Sequence, residues 1–597
     1  MAKRSPTSST RTRQQPVGER IAVGSGVTVE RGVRFRLPDG TVLISDHYYP
    51  PEPGPVPTLL MRQPYGRAVA STVVYAQPAW FAAQGYNVVI QDVRGRGEST
   101  GSFYPFRHEG RDGAATIHWL AGRPECNGRV GMYGFSYQGL TQLLAAAEQP
   151  TALRCITPAQ TAGDLFSGWF YHQGAYRLAS SVGWALQMLR GDARKRRLRS
   201  ASGQLEDAAT RLPALLASGP YSRIACLTAR GLPTYHRDWT SHRQAGPWWS
   251  RHDVSTRMDR IQIPALHMWG WFDTYLDGSE QLYQGLLRES KAPQYLVAGP
   301  WNHIPWSRYS GEVDHGPDSV LDTDRLLLRW FNHWLKDSGE FTSEPRVRSF
   351  ALGENRWHPL TAWPRPSHPT RQAEPNPSVQ YWFLDSDGRA NAIQGDGQLS
   401  LTTPTGSRPR DGFVHEPEVP VTAPGPGAAP GTYLQNRQDS MNNVLAYTSP
   451  VLTEPLRIAG RPRVCLHATS RTASADLVAK LVRVLADGRS YNVCLGIARS
   501  SWLFGSQGLI PDRVQCWEFD LEPTHCVFAT GERLRLIVTG SAFPLYDRNP
   551  GSDVSPEASS SWDWQQNQQQ IVHDLNHPSC LQLPLEPRTV HNEVGTT

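Results

Sequence analysis

No stretch of the sequence approaches the roughly 18 consecutive apolar residues that a membrane-spanning helix needs, so no transmembrane segment is expected. The N-terminal residues are basic and rich in Ser and Thr, without the apolar core of a secretory signal. Residues 1–24 read as a disordered tail. No close Cys-x-x-Cys pair occurs among the eight cysteines, at positions 126, 155, 226, 465, 494, 516, 526 and 580. They read as buried thiols of a reducing compartment, although spacing alone leaves disulfides open. A concentrated basic run is missing as well. The 60 Lys and Arg against 54 Asp and Glu leave a formal charge of +6 on 597 residues. With no zinc-finger or helix-turn-helix pattern beside it, nucleic acid is not an expected partner. His236, His242 and His252 lack metal-ligand spacing, so no metal and no other cofactor is expected. These absences point to a cytoplasmic protein that acts on a small molecule, with homo-oligomerisation left open.

What is present is a long chain, ordinary in its 39% hydrophobic content and rich in tryptophan, with 20. At about 100–200 residues per domain, two to four domains are expected. From Val27 the pattern is strand-like, and Pro38-Asp39-Gly40 marks a turn between two runs. Short apolar runs at Thr58–Met61, Asn87–Ile90 and Arg129–Tyr133 then alternate with helical segments. That alternation predicts a mostly parallel sheet covered on both faces. Residues 146–259 read as a helical, aromatic insertion, a cap over a cleft. The sheet pattern resumes at Ile263–Trp269 and Gln294–Ala298. After about Val347, short β-rich runs separated by Gly, Pro and Asp turns predict an antiparallel sandwich. The expected architecture is an α/β domain at residues 25–145 and 260–350, the cap at 146–259, and an all-β sandwich at 351–592.

The segment Gly131-Met132-Tyr133-Gly134-Phe135-Ser136-Tyr137-Gln138-Gly139 carries the chemistry. It puts a serine between glycines on a strand-to-helix turn, the position of a nucleophile in an α/β-hydrolase. The spacing is Gly-x-Ser-x-x-Gly, weaker as a bare pattern than Gly-x-Ser-x-Gly. Ser136 needs a base, and the base needs an orienting acid. In this fold the chain order is serine, acid, histidine. Asp273 and His303 follow two late strands and fit that order, just beyond the strands' carboxyl ends. Asp92 precedes the serine and does not. Arg94 and Arg96 lie in a Gly-rich loop, but no Walker Lys-Ser/Thr follows, so ion pairing rather than phosphate binding is expected of them. His267, inside an apolar strand, reads as a core histidine.

Three blocks resemble the family of cocaine esterase and the X-Pro dipeptidyl-peptidases: Gly134–Gly139, Gly270-Trp271-Phe272-Asp273 and Gly299-Pro300-Trp301-Asn302-His303. Arg62-Gln63-Pro64-Tyr65, Asp92–Ser99, Asp476–Leu481 and Ser541–Asn549 resemble further blocks of that family. The resemblance covers residues 25–590. It implies an α/β-hydrolase with a helical cap and a C-terminal jelly-roll, galactose-binding-like domain. It implies Ser136 as nucleophile, His303 as base and Asp273 as its orienter, with the Tyr65 hydroxyl and the Tyr137 N–H as oxyanion donors. Family members that hold a substrate ammonium use added carboxylates, and in the amino-ester hydrolases a Glu-Asp pair follows the triad aspartate. Here the chain reads Asp273-Thr274-Tyr275-Leu276, and Asp277 is the nearest carboxylate. Uncharged acyl groups are therefore expected, with Trp169, Phe170, Tyr171, Trp271 and Trp301 as candidate walls. The expected activity is hydrolysis of carboxylic esters through an acyl-enzyme. The alternatives are an amidase, acylase or X-Pro-type dipeptidyl-peptidase, or, in another class, an inactive carbohydrate- or ligand-binding protein.

Overall fold

The computed structural model describes residues 20–52, 54–68, 70–365, 378–391 and 395–587. Most of the expected N-terminal tail and the end of the chain lie outside the described residues. In the first half the strands are β1 (Arg20–Ala22), β2 (Thr28–Arg36), β3 (Val42–Tyr49), β4 (Val56–Gln63), β5 (Asn87–Asp92), β6 (Cys126–Phe135) and β7 (Leu153–Ala159). A two-residue hairpin, β8 (Tyr171–His172) and β9 (Ala175–Tyr176), follows. The main sheet continues with β10 (Ala265–Phe272) and β11 (Gln294–Asn302). A second small hairpin, β12 (Tyr309–Ser310) and β13 (Val313–Asp314), precedes the last two strands, β14 (Val347–Ala351) and β15 (Arg356–Leu360).

The main sheet has eleven strands in the order β1-β2-β3-β5-β4-β6-β7-β10-β11-β14-β15. From β5 to β14 every pairing is parallel, and the pairs at both edges are antiparallel. Both faces are covered, which is why the central strands read as continuous apolar runs rather than alternating ones. Leu60, Val89 and Met132 pack with α2 (Glu109–Ala121, after α1 at Pro78–Ala83) and α3 (Tyr137–Ala147). Leu59, Met61, Val88 and Tyr133, pointing the opposite way, meet Phe81 of α1 and Leu327, Trp330 and Phe331 of the segment Thr323–Lys336.

Three boundaries differ from the sequence reading. Arg20–Ala22 is not tail but an edge strand paired with Thr28–Glu30, and Arg20 lies over the Tyr49 ring. Leu153–Ala159 belongs to the sheet rather than to the cap, because β7 fills the place between β6 and β10. Residues 351–360 also belong to the first sheet, since β14 extends it from β11 and β15 pairs with β14.

Between β7 and β10 the chain is mainly helical: α4 (Leu178–Lys195), α5 (Arg199–Thr210), α6 (Leu212–Ala217), α7 (Tyr235–Ser241) and α8 (Pro247–Ser250). Its core is aromatic: Phe170 meets the rings of Trp184, Trp239 and Trp249, and Trp184 stacks on Trp239. Then come α9 (Leu276–Glu289) and α10 (Thr323–Lys336).

The chain beyond residue 378 forms a distinct β-rich domain. A second sheet of eleven strands carries it, with antiparallel pairing at all but one junction. Its inner face holds Leu466, Leu477, Leu481, Trp517, Leu536 and Leu581. Buried ion pairs fasten this domain to the rest. Asp277 of α9 meets Arg461 at 2.6 Å and Arg177, from the end of the β8–β9 hairpin, at 2.9 Å. Arg499 spans Asp476 and Asp547, and Asp547 Oδ1 accepts the Tyr176 N–H at 2.8 Å. The Ser541–Asn549 block is thus the seam between the helical insertion and the C-terminal domain.

Candidate active site

Ser136 stands where β6 meets α3, at φ 58° and ψ −126°. A serine holds this left-handed backbone only where the surroundings over-determine it. The two flanking glycines are those surroundings. Gly134 has φ +139°, and a Cβ there would come within 2.5 Å of Gln138 Cβ. A Cβ on Gly139 would stand 2.8 Å from the Thr161 side chain and 3.1 Å from the Ala159 carbonyl. The turn thus packs α3 tightly against the segment after β7 and lifts Ser136 above the sheet. The Tyr137 N–H opens α3, where a helix has no acceptor of its own for its first amides.

Asp273 follows β10 directly, in a turn closed by its own N–H to the Gly270 carbonyl at 3.1 Å. His303 follows β11, whose last residue pairs with the end of β10 at Phe272↔Asn302. This register brings the two loops together. His303 Nδ1 lies 2.6 Å from Asp273 Oδ1, and His303 Nε2 lies 3.0 Å from Ser136 Oγ. Asp273 is buried, whereas the His303 side chain keeps 26% of its surface open. An Nδ1–H donating to the carboxylate leaves Nε2 free to accept from the serine.

Tyr65 follows β4, the neighbour of β6, and its phenol reaches the same spot. Burial pushes that phenol up to about 12, against the pull of hydrogen bonding from Trp184 and Ser136 and the charge of Arg96. It therefore keeps its proton, and its power to donate, throughout the neutral range. Tyr137 turns its side chain away, donating to Glu109 Oε1 at 2.9 Å, and Glu109 also holds the fully buried Arg62.

The five aromatic residues expected as walls do not behave alike. Trp271 and Trp301 do not line a cleft. Each is 1% exposed, because each lies within a strand buried on both faces rather than in the loop beyond it. The Trp271 indole donates to the Phe350 carbonyl and stacks on Trp363. That of Trp301 donates to the Ser319 carbonyl and packs on Trp306. Phe170 and Tyr171 are committed to the core of the helical insertion, Phe170 against Trp239 and Tyr171 with its hydroxyl on the Trp239 carbonyl. Trp169 comes nearest. It stacks on Tyr275 at 4.2 Å, and Tyr275 meets the edge of His303 at 5.0 Å. Tyr275, Trp184, Phe106 and Phe135 were not singled out from the sequence as site residues. Tyr275 and Phe135 touch His303, and Trp184 and Phe106 flank Tyr137. Their one local signal is that Tyr275 and Phe135 stand within two residues of Asp273 and Ser136.

Asp277, and two carboxylates of the helical insertion, Asp164 and Asp238, are engaged elsewhere than with an ammonium. Asp277 is bound to Arg177 and Arg461. Asp164 caps the turn at Phe166 and Ser167. Asp238 accepts from Tyr104 and Thr234. Arg94 pairs with Asp112 and Asp39, and Arg96 lies over Phe103 and donates to the Met188 carbonyl, so neither cradles an anion. His267 is a buried histidine bound to Gln294.

Set beside known proteins, residues 39–305 match the family model described as X-Pro dipeptidyl-peptidase (S15 family). Residues 339–582 match that of the X-Pro dipeptidyl-peptidase C-terminal non-catalytic domain. Cocaine esterase of Rhodococcus sp. (strain MB1 Bresler) is 29% identical over 603 residues, covering 95% of this chain and all of that protein. Among solved structures, an aminopeptidase from the marine sediment archaeon Thaumarchaeota archaeon superposes with a TM-score of 0.77 at 23% identity, over 96% of this chain and 99% of that one. An alpha-amino acid ester hydrolase does so with a TM-score of 0.77 at 24% identity, over 98% of this chain and all of the other. At these identities the two structures attest a shared fold.

Proposed function

Because the chain belongs to the X-Pro dipeptidyl-peptidase and cocaine-esterase family of serine hydrolases, with that family's C-terminal non-catalytic domain, we propose that it cleaves carboxylic esters of uncharged acids through an acyl-enzyme on Ser136. The observation that carries the reading is the unbroken line from Ser136 Oγ to His303 Nε2 at 3.0 Å and from His303 Nδ1 to Asp273 Oδ1 at 2.6 Å. His303 takes the serine proton as the hydroxyl attacks the ester carbonyl, and returns it to the leaving alcohol. A water then repeats the sequence on the acyl-enzyme. Asp273 holds the imidazole in the tautomer that can accept, and stabilises the imidazolium once formed. Charge gathers on the former carbonyl oxygen, and the Tyr65 hydroxyl with the Tyr137 N–H are the donors for it. Such donors act more strongly in the transition state than in the ground state, and one of them is worth about 3 kcal/mol.

The preference for uncharged acids rests on what surrounds His303. Tyr275 stands two residues past Asp273, and the next carboxylate, Asp277, is spent on two arginines. An ammonium entering without a partner there pays a large desolvation cost. The helical insertion acts as the cap, and the C-terminal domain is a jelly-roll sandwich. The experiment is a matched substrate pair: the same phenyl ester with a neutral acyl group and with its α-amino analogue, together with an X-Pro dipeptide substrate. A higher kcat/KM for the neutral ester is expected. Preference for the amino member would move the protein to the peptidase branch.

A further inference from the structure

Six of the eight cysteines are buried, as suits small apolar side chains, and two are not: Cys465 and Cys516. Those two meet each other. Cys465 lies on the strand Arg463–Ser470 and Cys516 on its antiparallel neighbour Gln515–Asp520. The register places Cys465 opposite Glu518 and His467 opposite Cys516. Strand alternation fixes the face: Val464, Leu466, Trp517 and Phe519 fill the core, so Cys465, His467 and Cys516 stand together on the outer face. The two Sγ atoms are 3.3 Å apart. The ligand atoms of all three side chains lie within 4.8 Å of one another. His467 Nδ1 is shielded from solvent and has no hydrogen-bond partner.

We infer that Cys465, His467 and Cys516 form a binding site for one thiophilic divalent cation of the zinc type, with solvent in the fourth position. Two thiolates and one imidazole make a donor set suited to zinc, and tetrahedral zinc keeps its sulfur and nitrogen ligands a few ångströms apart, as here. Binding displaces the two thiol protons to solvent, so the charge of the cation is balanced by the ligands. Sequence spacing conceals the site, since Cys465 and Cys516 lie 51 residues apart and are joined by strand pairing. The site lies away from the serine and is no part of the hydrolytic reaction. A cation here would staple the strand Gln515–Asp520 to its neighbour. That strand runs straight into the domain seam, where the Asp520 carbonyl accepts from Gln173 and the Leu521 carbonyl from Arg461.

Cobalt(II) reads the site directly. Full-length enzyme, reduced and freed of metal, is titrated with cobalt while thiolate-to-cobalt charge transfer and tetrahedral d–d absorption are followed, and zinc is then added as competitor. One equivalent should bind, zinc should displace it, and the unfolding temperature should rise with zinc. Cys465→Ser, Cys516→Ser and His467→Ala should each weaken binding by at least about tenfold. Cys226→Ser should leave it unchanged. All four variants should still label with a fluorophosphonate, which shows that they are folded. Absence of a one-equivalent thiolate band in the folded enzyme would overturn the inference. So would a band that survives in all three ligand variants, or a Cys465–Cys516 disulfide that forms in air while metal is present in excess.

Discussion

Tyr65 is the side chain whose contribution separates most cleanly into ground state and transition state. Its phenol stays protonated, being pushed up to about 12 by burial. In the proposed role its bond goes to the former carbonyl oxygen and matters once charge develops there. Tyr65→Phe should lower kcat by roughly 10²–10³ and move KM little, as steady-state kinetics on one ester would report. An unchanged kcat would leave Tyr65 as a structural tyrosine rather than an oxyanion donor. At this scale much of the site was legible. Ser136 is flagged by its glycines, and Asp273 and His303 by their places after apolar strands. The substrate walls were not legible, because Trp271 and Trp301 look like any aromatic residue near a motif until the strands are seen to be buried on both faces. The thiol–imidazole cluster was not legible either, since cross-strand register has no trace in local spacing.

The turn from β6 into α3 depends on close packing as much as on the conformation of Ser136. Gly139 has ordinary helical backbone, so alanine there meets no strain in φ, and what it meets is the Thr161 side chain at 2.8 Å. Gly139→Ala should therefore cost about 1–3 kcal/mol as an overpacked contact. It should also shift Ser136 enough to slow fluorophosphonate labelling, with denaturant unfolding and labelling rate as the two readouts. Wild-type behaviour in both would show that the contact has room to relax. Among the elements, β4, β5 and β6 announce themselves as short apolar runs bounded by turns. β7 does not: its run Leu153-Arg154-Cys155-Ile156-Thr157-Pro158-Ala159 holds an arginine and a proline, and only the gap between β6 and β10 makes it a strand. The edge strand at Arg20–Ala22 is likewise set by a partner, not by its own three residues.

At the scale of the whole molecule, the hydrolase domain, the insertion and the C-terminal domain meet around one buried charge cluster. Arg177 and Arg461 share Asp277, and Glu280 also binds Arg461. Burial would raise Asp277, but His172 and the two arginines outweigh it and hold that carboxyl low. Glu522 beside it goes the other way. Burial, and then the charge of Asp277, push its carboxyl well above the usual range. The folded protein thus keeps a proton on Glu522 at pH values where the unfolded chain, with a glutamate near 4.3, has lost it. Proton binding by the folded state makes stability fall as pH rises through that window. Glu522→Gln removes this dependence. Its unfolding temperature, relative to wild type, should therefore climb between acidic and neutral pH. A constant difference across that range would mean that Glu522 is ionised in the folded protein.

The central claim is that ester turnover runs through an acyl group on Ser136, and an acyl-enzyme trap reads it most directly. The enzyme is mixed with an activated ester of a neutral acid, quenched in acid during the first turnovers, digested and mapped by mass. The account predicts one acyl group per chain, on the peptide that carries Ser136, and neither adduct nor turnover in Ser136→Ala. An acyl group on another residue, or turnover that survives in Ser136→Ala, would contradict it.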